Sequence, residues 1–243
     1  MIDIKRIKDF LLSFIFTKRC RYCNSLCDIT NEVCDSCADN LALVEGEICY
    51  NCGLEKTLCD KKERKHFYES VCAPYYYDGA PKLAVIHLKH RNTDRILSSL
   101  SEDMAECVKK HYKGLDFDAC TFVPMHTDDE KKRGYNQAQL MAEKLSEILD
   151  IPCYPLLKKD FKTQSQHKLP QMMRSGNLLG TISYNTNCNF NAKNTRILLC
   201  DDIKTTGATL DECAKSLLFQ GCAEVRCITA CVGKRNKKQK SED

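Results

Sequence analysis

The sequence has little excess charge of either sign: 37 Lys and Arg against 33 Asp and Glu leave a formal charge of +4. No global polycation is present of the kind that would by itself demand a nucleic-acid partner. A long hydrophobic run is also missing. The apolar stretch near the start, residues 10–16, is far shorter than the roughly 20 residues a spanning helix needs. Asp3, Lys5, Arg6, Lys8 and Asp9 precede it, with no small-residue cleavage site behind it. The stretch therefore does not read as a signal peptide or an anchor. It reads as an amphipathic helix over residues 1–19 that packs on the protein, with peripheral membrane contact as the alternative. No internal repeat of solenoid length occurs, and Trp is absent.

What the chain has in abundance is cysteine, 18 residues of 243. With no export signal to carry them out, these thiols are expected in the reducing cytoplasm, where metal ligation or core packing is favoured over disulfides. Nine of the 18 fall between Cys20 and Cys72, and the rest are scattered singly through apolar runs. That change in density predicts a small cysteine-rich module over residues 20–70 and a larger domain over residues 71–232. The segment Asp60 to Ser70, with its charged residues 61–65, reads as an exit linker or solvated loop, and a basic tail over residues 233–243 lacks apolar periodicity and is expected to be disordered. With 43% hydrophobic side chains the chain can bury one full α/β domain and carry a small appendage.

Within the module, Cys20-x-x-Cys23 and Cys34-x-x-Cys37 form two thiolate hooks, the spacing of a tetrahedral four-cysteine zinc site. Zinc there substitutes for a core that so short a segment cannot build. A second hook, Cys49-x-x-Cys52, has an imperfect mate: Cys59 is present, but Lys62 stands where its partner is wanted. Cys27, His66 or Cys72 are candidates for a fourth ligand of this second site. Cys27 itself reads as a bystander of the first.

From Val71 onward, short β-rich runs alternate with longer amphipathic ones, the pattern of a parallel sheet with crossover helices. Strands are expected near residues 119–123, 153–157, 197–201 and 225–230, and helices near 81–90, 94–112, 136–150 and 209–220, the last stopped by Gly221.

One loop carries the chemistry. Apolar Leu198-Leu199-Cys200 leads to paired carboxylates, Asp201-Asp202, and then to Ile203-Lys204-Thr205-Thr206-Gly207-Ala208-Thr209, a hydroxyl-and-glycine turn opening a helix. Physically this is a sugar-phosphate cradle. Turn amides and the positive helix end suit a 5′-phosphate. Thr205, Thr206 and Thr209 add hydroxyl donors, and Gly207 permits close backbone approach. Asp201 and Asp202 can accept hydrogen bonds from two ribose hydroxyls, directly or through Mg²⁺. The bland alternative, an ordinary strand–turn–helix, leaves two adjacent carboxylates desolvated without a ligand to offset the cost.

This loop resembles the fingerprint of the type I phosphoribosyltransferases at every position. Further segments narrow the resemblance: Val123-Pro124-Met125-His126, then Lys131-Lys132-Arg133-Gly134-Tyr135-Asn136-Gln137-Ala138, then residues 162–169 and Arg174-Ser175-Gly176-Asn177. Together with the cysteine module and the stretch from Tyr77-Asp78-Gly79 to Leu88-Lys89-His90, their order is similar to the ComF family across nearly the whole chain. Tyr135 stands where the family usually has Phe.

The resemblance implies a type I phosphoribosyltransferase-like α/β fold, a parallel sheet flanked by helices and preceded by a four-cysteine zinc finger. It also implies a link to DNA uptake and to the handling of incoming single-stranded DNA in competent bacteria. The expected ligands are 5-phosphoribosyl 1-pyrophosphate (PRPP) with Mg²⁺ and structural Zn²⁺. Single-stranded DNA and other competence or DNA-processing proteins are the expected partners.

Asp201, Asp202 and Arg133 become the catalytic candidates. Lys204 to Thr209 cradle the phosphate, while Lys132, Arg133, Lys162 and Arg174 face the pyrophosphate. Residues 162–169 would form a mobile hood, and His126 is either a general acid–base or a structural hydrogen-bonding group. Many members carry the loop without an established transferase reaction. The alternative is therefore an active PRPP-dependent transferase, amidophosphoribosyltransferase-like, in nucleotide or nucleobase salvage with an unidentified acceptor. A DNA path could follow Lys18, Arg19 and Arg21, residues 61–65, 89–91 and 234–240, with Tyr75, Tyr76 and Tyr77 for stacking; against it, lysine runs usually face water.

Overall fold

In a computed structural model of the chain, the described residues are 18–28, 30–59, 65–90, 94–159 and 181–234. The main sheet is parallel throughout. Its strands are β1 (Ser70–Cys72), β2 (Tyr75–Tyr76), β3 (Ala119–Phe122), β6 (Arg196–Lys204) and β7 (Glu224–Val232). They are ordered β1-β7-β6-β3, with β2 also pairing β7. β1 lies against Arg226 to Ile228 and β2 against Cys231 and Val232, so the Ala73-Pro74 step interrupts what is in effect one edge strand. Proline, having no N–H to donate, is tolerated at such an edge.

The strands read as continuous apolar runs because both sheet faces are covered. Alternate residues along β6 sort cleanly: Leu198 and Cys200 enter one core, Ile197 and Leu199 the other. The first core is roofed by α2 (Gly79–His90), α3 (Asp94–His111) and α5 (Gln137–Leu149). The second is covered by α6 (Ala208–Phe219) and by a separate antiparallel pair, β4 (Leu157–Lys159) with β5 (Ile182–Tyr184). Met104, Leu100, Met141 and Leu145 are fully buried in the first; each such side chain contributes about 1.5–3 kcal/mol of burial free energy.

The cysteine-rich segment joins this core. Cys20, Tyr22, Cys37, Val44, Ile48 and Leu54 belong to the same buried cluster as α2 and α3, and Leu43 bridges antiparallel to Tyr75. Within it lies a single helical turn, α1 (Asp35–Ala38).

Several expectations change. The strand at 153–157 reduces to one bridge, Cys153 to Cys120, and regular pairing begins only at Leu157 in the smaller sheet. Pro152 and Pro155 flank Cys153-Tyr154 and deny the ladder two donors. β6 runs on past Asp201 to Lys204. The linker expected up to residue 70 is partly core: Tyr68 is buried and Ser70 opens β1. Residues 61–64 lie outside the described residues, as do residues 1–17, the tail beyond Lys234 and the segment holding Lys162 and Arg174. No helix among the described residues is long and apolar enough to cross a membrane.

Candidate functional site

The first hook pair closes as its spacing requires. The sulfurs of Cys20, Cys23, Cys34 and Cys37 all lie within 4.8 Å of one another, and Cys23 Sγ stands 3.6 Å from Cys34 Sγ. Zn–S bonds of about 2.3 Å in a tetrahedron put sulfurs roughly 3.8 Å apart, so the donor set fits such an ion. Local backbone makes the geometry. Asn24 takes a left-handed φ of 60° in the first turn, and its N–H donates to the Cys20 carbonyl at 3.0 Å. Burial opposes ionisation of Cys20, but donation from the amides of Cys23, Cys34 and Tyr22 outweighs it and brings the thiol down to about 6.

The second hook gathers three sulfurs, Cys49, Cys52 and Cys59, again within 4.8 Å. Gly53, at φ +77°, closes its turn by donating to the Cys49 carbonyl at 2.7 Å. None of the three suggested fourth ligands joins them. Cys72 is buried beside the Cys227 carbonyl. His66 stacks on Tyr68 at 4.5 Å and faces Asp211. Cys27 points its thiol at the Ser25 carbonyl. All 18 cysteines are free, and those of the sheet and its helices, such as Cys200, Cys213 and Cys227, serve as core packing.

Asp201 and Asp202 lie in the carboxyl-terminal half of β6 on opposite sides. Asp201 raises the thiols of Cys213 and Cys227 electrostatically, after their own burial, so it faces α6. Asp202 faces α2, where Lys89 Nζ comes within 3.1 Å of its Oδ2. Burial first, then the charge of Asp202, push the Asp201 carboxyl well above its usual range, while the Asp202 amide, 2.8 Å from Asp201 Oδ1, and Lys89 pull it back.

Beyond the carboxylates Gly207, at φ +83°, is the N-cap residue of α6 and offers no side-chain cap. A Cβ there would meet Tyr68 Oη at 3.0 Å and Lys204 Cε at 3.2 Å. Lys204 is buried and Thr205 exposed; Thr206 Oγ1 accepts from the Ala208 amide at 3.3 Å, and Thr209 sits in the first turn of α6.

The basic triplet closes a helix. Thr127–Arg133 forms a short helix, α4, capped by His126 Nδ1 accepting from the Asp128 amide at 3.2 Å and ended by left-handed Gly134. Its acidic first turn and basic last turn, Lys131, Lys132 and Arg133, complement the helix dipole. The structure thus gives His126 the capping role. Arg133 donates to Gln137 Oε1 at 2.6 Å, and Asn136 caps α5.

The proposed DNA path loses several members. Tyr75 is buried, bonded to Tyr22 Oη at 2.7 Å and to Asp103 Oδ2 at 2.8 Å; Tyr76 is buried too. Arg21 pairs with Asp103 at 3.0 Å, and Lys234 lies over the Tyr76 ring. The sequence reading missed two lysines near the carboxylates. One is Lys89. The other is Lys159 at the end of β4, whose ammonium is depressed by burial while Asp129, Cys213 and Asp201 oppose that shift. Lys89 stands in the stretch that carries the family resemblance, but nothing in the sequence pairs either lysine with β6; only the fold brings them there.

Comparison with known proteins agrees with this geometry. The family model described as phosphoribosyl transferase domain matches residues 132–243. The chain is 30% identical over 203 residues to competence protein ComFC of Bacillus subtilis, covering 79% of this chain and 80% of that protein. It is 28% identical to competence protein F of Haemophilus influenzae, over 87% of this chain and 95% of that one. It is 29% identical to the DNA utilization protein YhgH of Escherichia coli, over 63% and 69% respectively. With its thiol cluster, its parallel sheet and its Asp201-Asp202 loop, the chain belongs to the ComF family.

Proposed function

We propose that this protein binds PRPP, with Mg²⁺, at the carboxyl end of β6 and serves DNA uptake or the processing of incoming single-stranded DNA. The observation that carries the ligand is the juxtaposition of Asp201 and Asp202 with the side-chain-free cap at Gly207. Carboxylates suit the ribose hydroxyls, and an open helix start suits the 5′-phosphate. Asp201 and Asp202 are the residues that would hold a divalent cation, which when bound offsets charge on the pyrophosphate. Lys204, Thr205, Thr206, Ala208 and Thr209 complete the cradle, and Lys132, Arg133, Lys162 and Arg174 are proposed for the pyrophosphate side. The DNA role rests on the names of the relatives, two of them competence proteins and one a DNA utilization protein.

Structural zinc is proposed at Cys20, Cys23, Cys34 and Cys37, and a second ion at Cys49, Cys52 and Cys59 with its fourth ligand from elsewhere. The organisation proposed with it is a knuckle module over 20–70, a phosphoribosyltransferase-like domain over 71–232, a leading helix over 1–19 and a basic tail over 233–243, all in the cytoplasm.

Calorimetric titration of zinc-replete protein with Mg²⁺ and PRPP tests the ligand. Saturable binding is expected, and it disappears in the double variant Asp201→Ala, Asp202→Ala. Absence of binding by the intact protein refutes the proposal. Pyrophosphate release that depends on an added acceptor would instead establish the transferase reading.

A further inference from the structure

The carboxylates meet a cation of the chain's own. Lys89 closes α2, and its Nζ lies 3.1 Å from Asp202 Oδ2 with the two side chains only 31% and 19% exposed. A lysine carries a long flexible stem, so what anchors its backbone matters. The neighbouring carbonyl, that of Leu88, accepts from the Tyr135 hydroxyl at 2.6 Å and from Gln137 Nε2 at 3.4 Å. Gln137 is buried, and its Oε1 accepts from Arg133 at 2.6 Å.

The segment from Arg133 to Gln137 therefore grips the end of α2, and through it the base of Lys89. The Tyr135 hydroxyl, present here where the family usually has Phe, supplies the shorter of the two grips.

A divalent cation bound directly to Asp202 would need a carboxylate oxygen at about 2.0–2.1 Å with its remaining positions in an octahedron. An ammonium on that same oxygen repels it and occupies its approach. A diphosphate changes the balance, since its negative oxygens give the lysine a second partner and release Asp202. We infer that Lys89 is a positioning residue that competes with a divalent cation for Asp202 Oδ2, so that a divalent cation enters together with the diphosphate and not ahead of it. This deepens the PRPP reading and rests on it for the second half of the statement.

The test uses Mn²⁺ as the probe, followed by electron paramagnetic resonance of the free ion, on zinc-replete protein without PRPP. Lys89→Met and Lys89→Gln are expected to bind Mn²⁺ at least about tenfold more tightly than the intact protein. Adding Asp202→Asn to Lys89→Met should remove that gain, and Lys89→Arg should show none. Tyr135→Phe, which loosens the grip and leaves the lysine, is expected to give a smaller gain of roughly two- to threefold. With PRPP present, the intact protein should take up Mn²⁺ as well as Lys89→Met does.

Unchanged Mn²⁺ affinity in both Lys89→Met and Lys89→Gln overturns the inference, and so does a gain that survives Asp202→Asn. The PRPP reading fails separately, if PRPP leaves Mn²⁺ uptake by the intact protein unaltered while Lys89→Met still tightens it.

Discussion

The cysteine knuckle and the end of β6 both bring acidic groups together, and they settle the repulsion differently. Around Cys20 the stabilisation comes from backbone amides, those of Cys23, Cys34 and Tyr22. The four sulfurs then converge within 4.8 Å, an arrangement suited to an external ion. Around Asp201 and Asp202 the chain provides cations of its own, Lys89 on one sheet face and Lys159 on the other. A site built of amides around thiols asks for a permanent metal and repays it with structure. A site built of exchangeable lysines around carboxylates can take a ligand and give it up. The first is the pattern of a staple, the second that of a binding site.

The comparison breaks most visibly if metal is removed. Cys34→Ser, or a strong chelator, should lower the melting temperature by at least about 10 °C, because the loss of a structural zinc site costs several kcal/mol and each kcal/mol moves a domain of this size by about 2–4 °C. Zinc content by atomic absorption and thermal unfolding by circular dichroism check this. Equal melting of metal-free and zinc-replete protein would show that the knuckle is held by its packing alone.

Next in size is the seam between the knuckle and the helices of the larger domain. Arg21 sits inside the first hook and pairs with Asp103 on α3, each side chain about one-fifth exposed. Burial holds the Asp103 carboxyl up, and the Tyr75 hydroxyl and Arg21 oppose it. Arg21→Met leaves that carboxylate without its cation and should cost about 2 kcal/mol in urea unfolding. The double variant with Asp103→Leu should recover part of it. If the single variant is as stable as the parent, the seam is only a surface contact.

Gly207→Ala probes the binding side. Its left-handed φ costs a side chain about 1 kcal/mol, and the added Cβ would press on Tyr68 Oη at 3.0 Å. A loss of about 2 kcal/mol is expected, with PRPP affinity falling at least as far. Retained affinity would detach the phosphate from this turn.

How much of this was legible beforehand follows from where the signals lie. β6, β7, α3 and α6 are long, apolar and periodic, and the sequence marks them to within a few residues. β1 and β2 are three and two residues long, split by Pro74, and carry no period. α4 buries none of its residues, so no apolar period marks it in the sequence. Of the site, the loop from Asp201 to Thr209 and both hooks stand contiguous in sequence. Lys89 is a different case. Its partner lies far downstream, and although Leu88-Lys89-His90 stands in the stretch that resembles the family, its basic run carries no sign of that partner. Contacts made by the fold leave no local trace: Tyr75 reads as a stacking residue in sequence, whereas in the fold Asp103 and Tyr22 hold its hydroxyl.

The smallest expected effect is also the one that most directly separates the two regions, because its sign is opposite for stability and for binding. Asp201 is held above its usual carboxylate range by burial and by Asp202. Such a group takes up a proton more readily folded than unfolded. Its favourable contribution is therefore present in acid, and stability falls as the pH rises from the unfolded value of about 4 towards the raised folded one. Asp201→Asn removes the buried charge while keeping the shape. Without ligand, the variant should be about 1 kcal/mol more stable than the parent at neutral pH and nearly equal to it at a pH of about 4. PRPP binding should be lost at every pH. Urea unfolding across that range checks the sign, and a variant less stable at neutral pH than in acid, relative to the parent, would mean that the ionised Asp201 carboxylate stabilises the fold. In the knuckle the same logic runs the other way, since Cys20→Ser removes one of the four thiols of the proposed metal site and is expected to destabilise the metal-loaded protein.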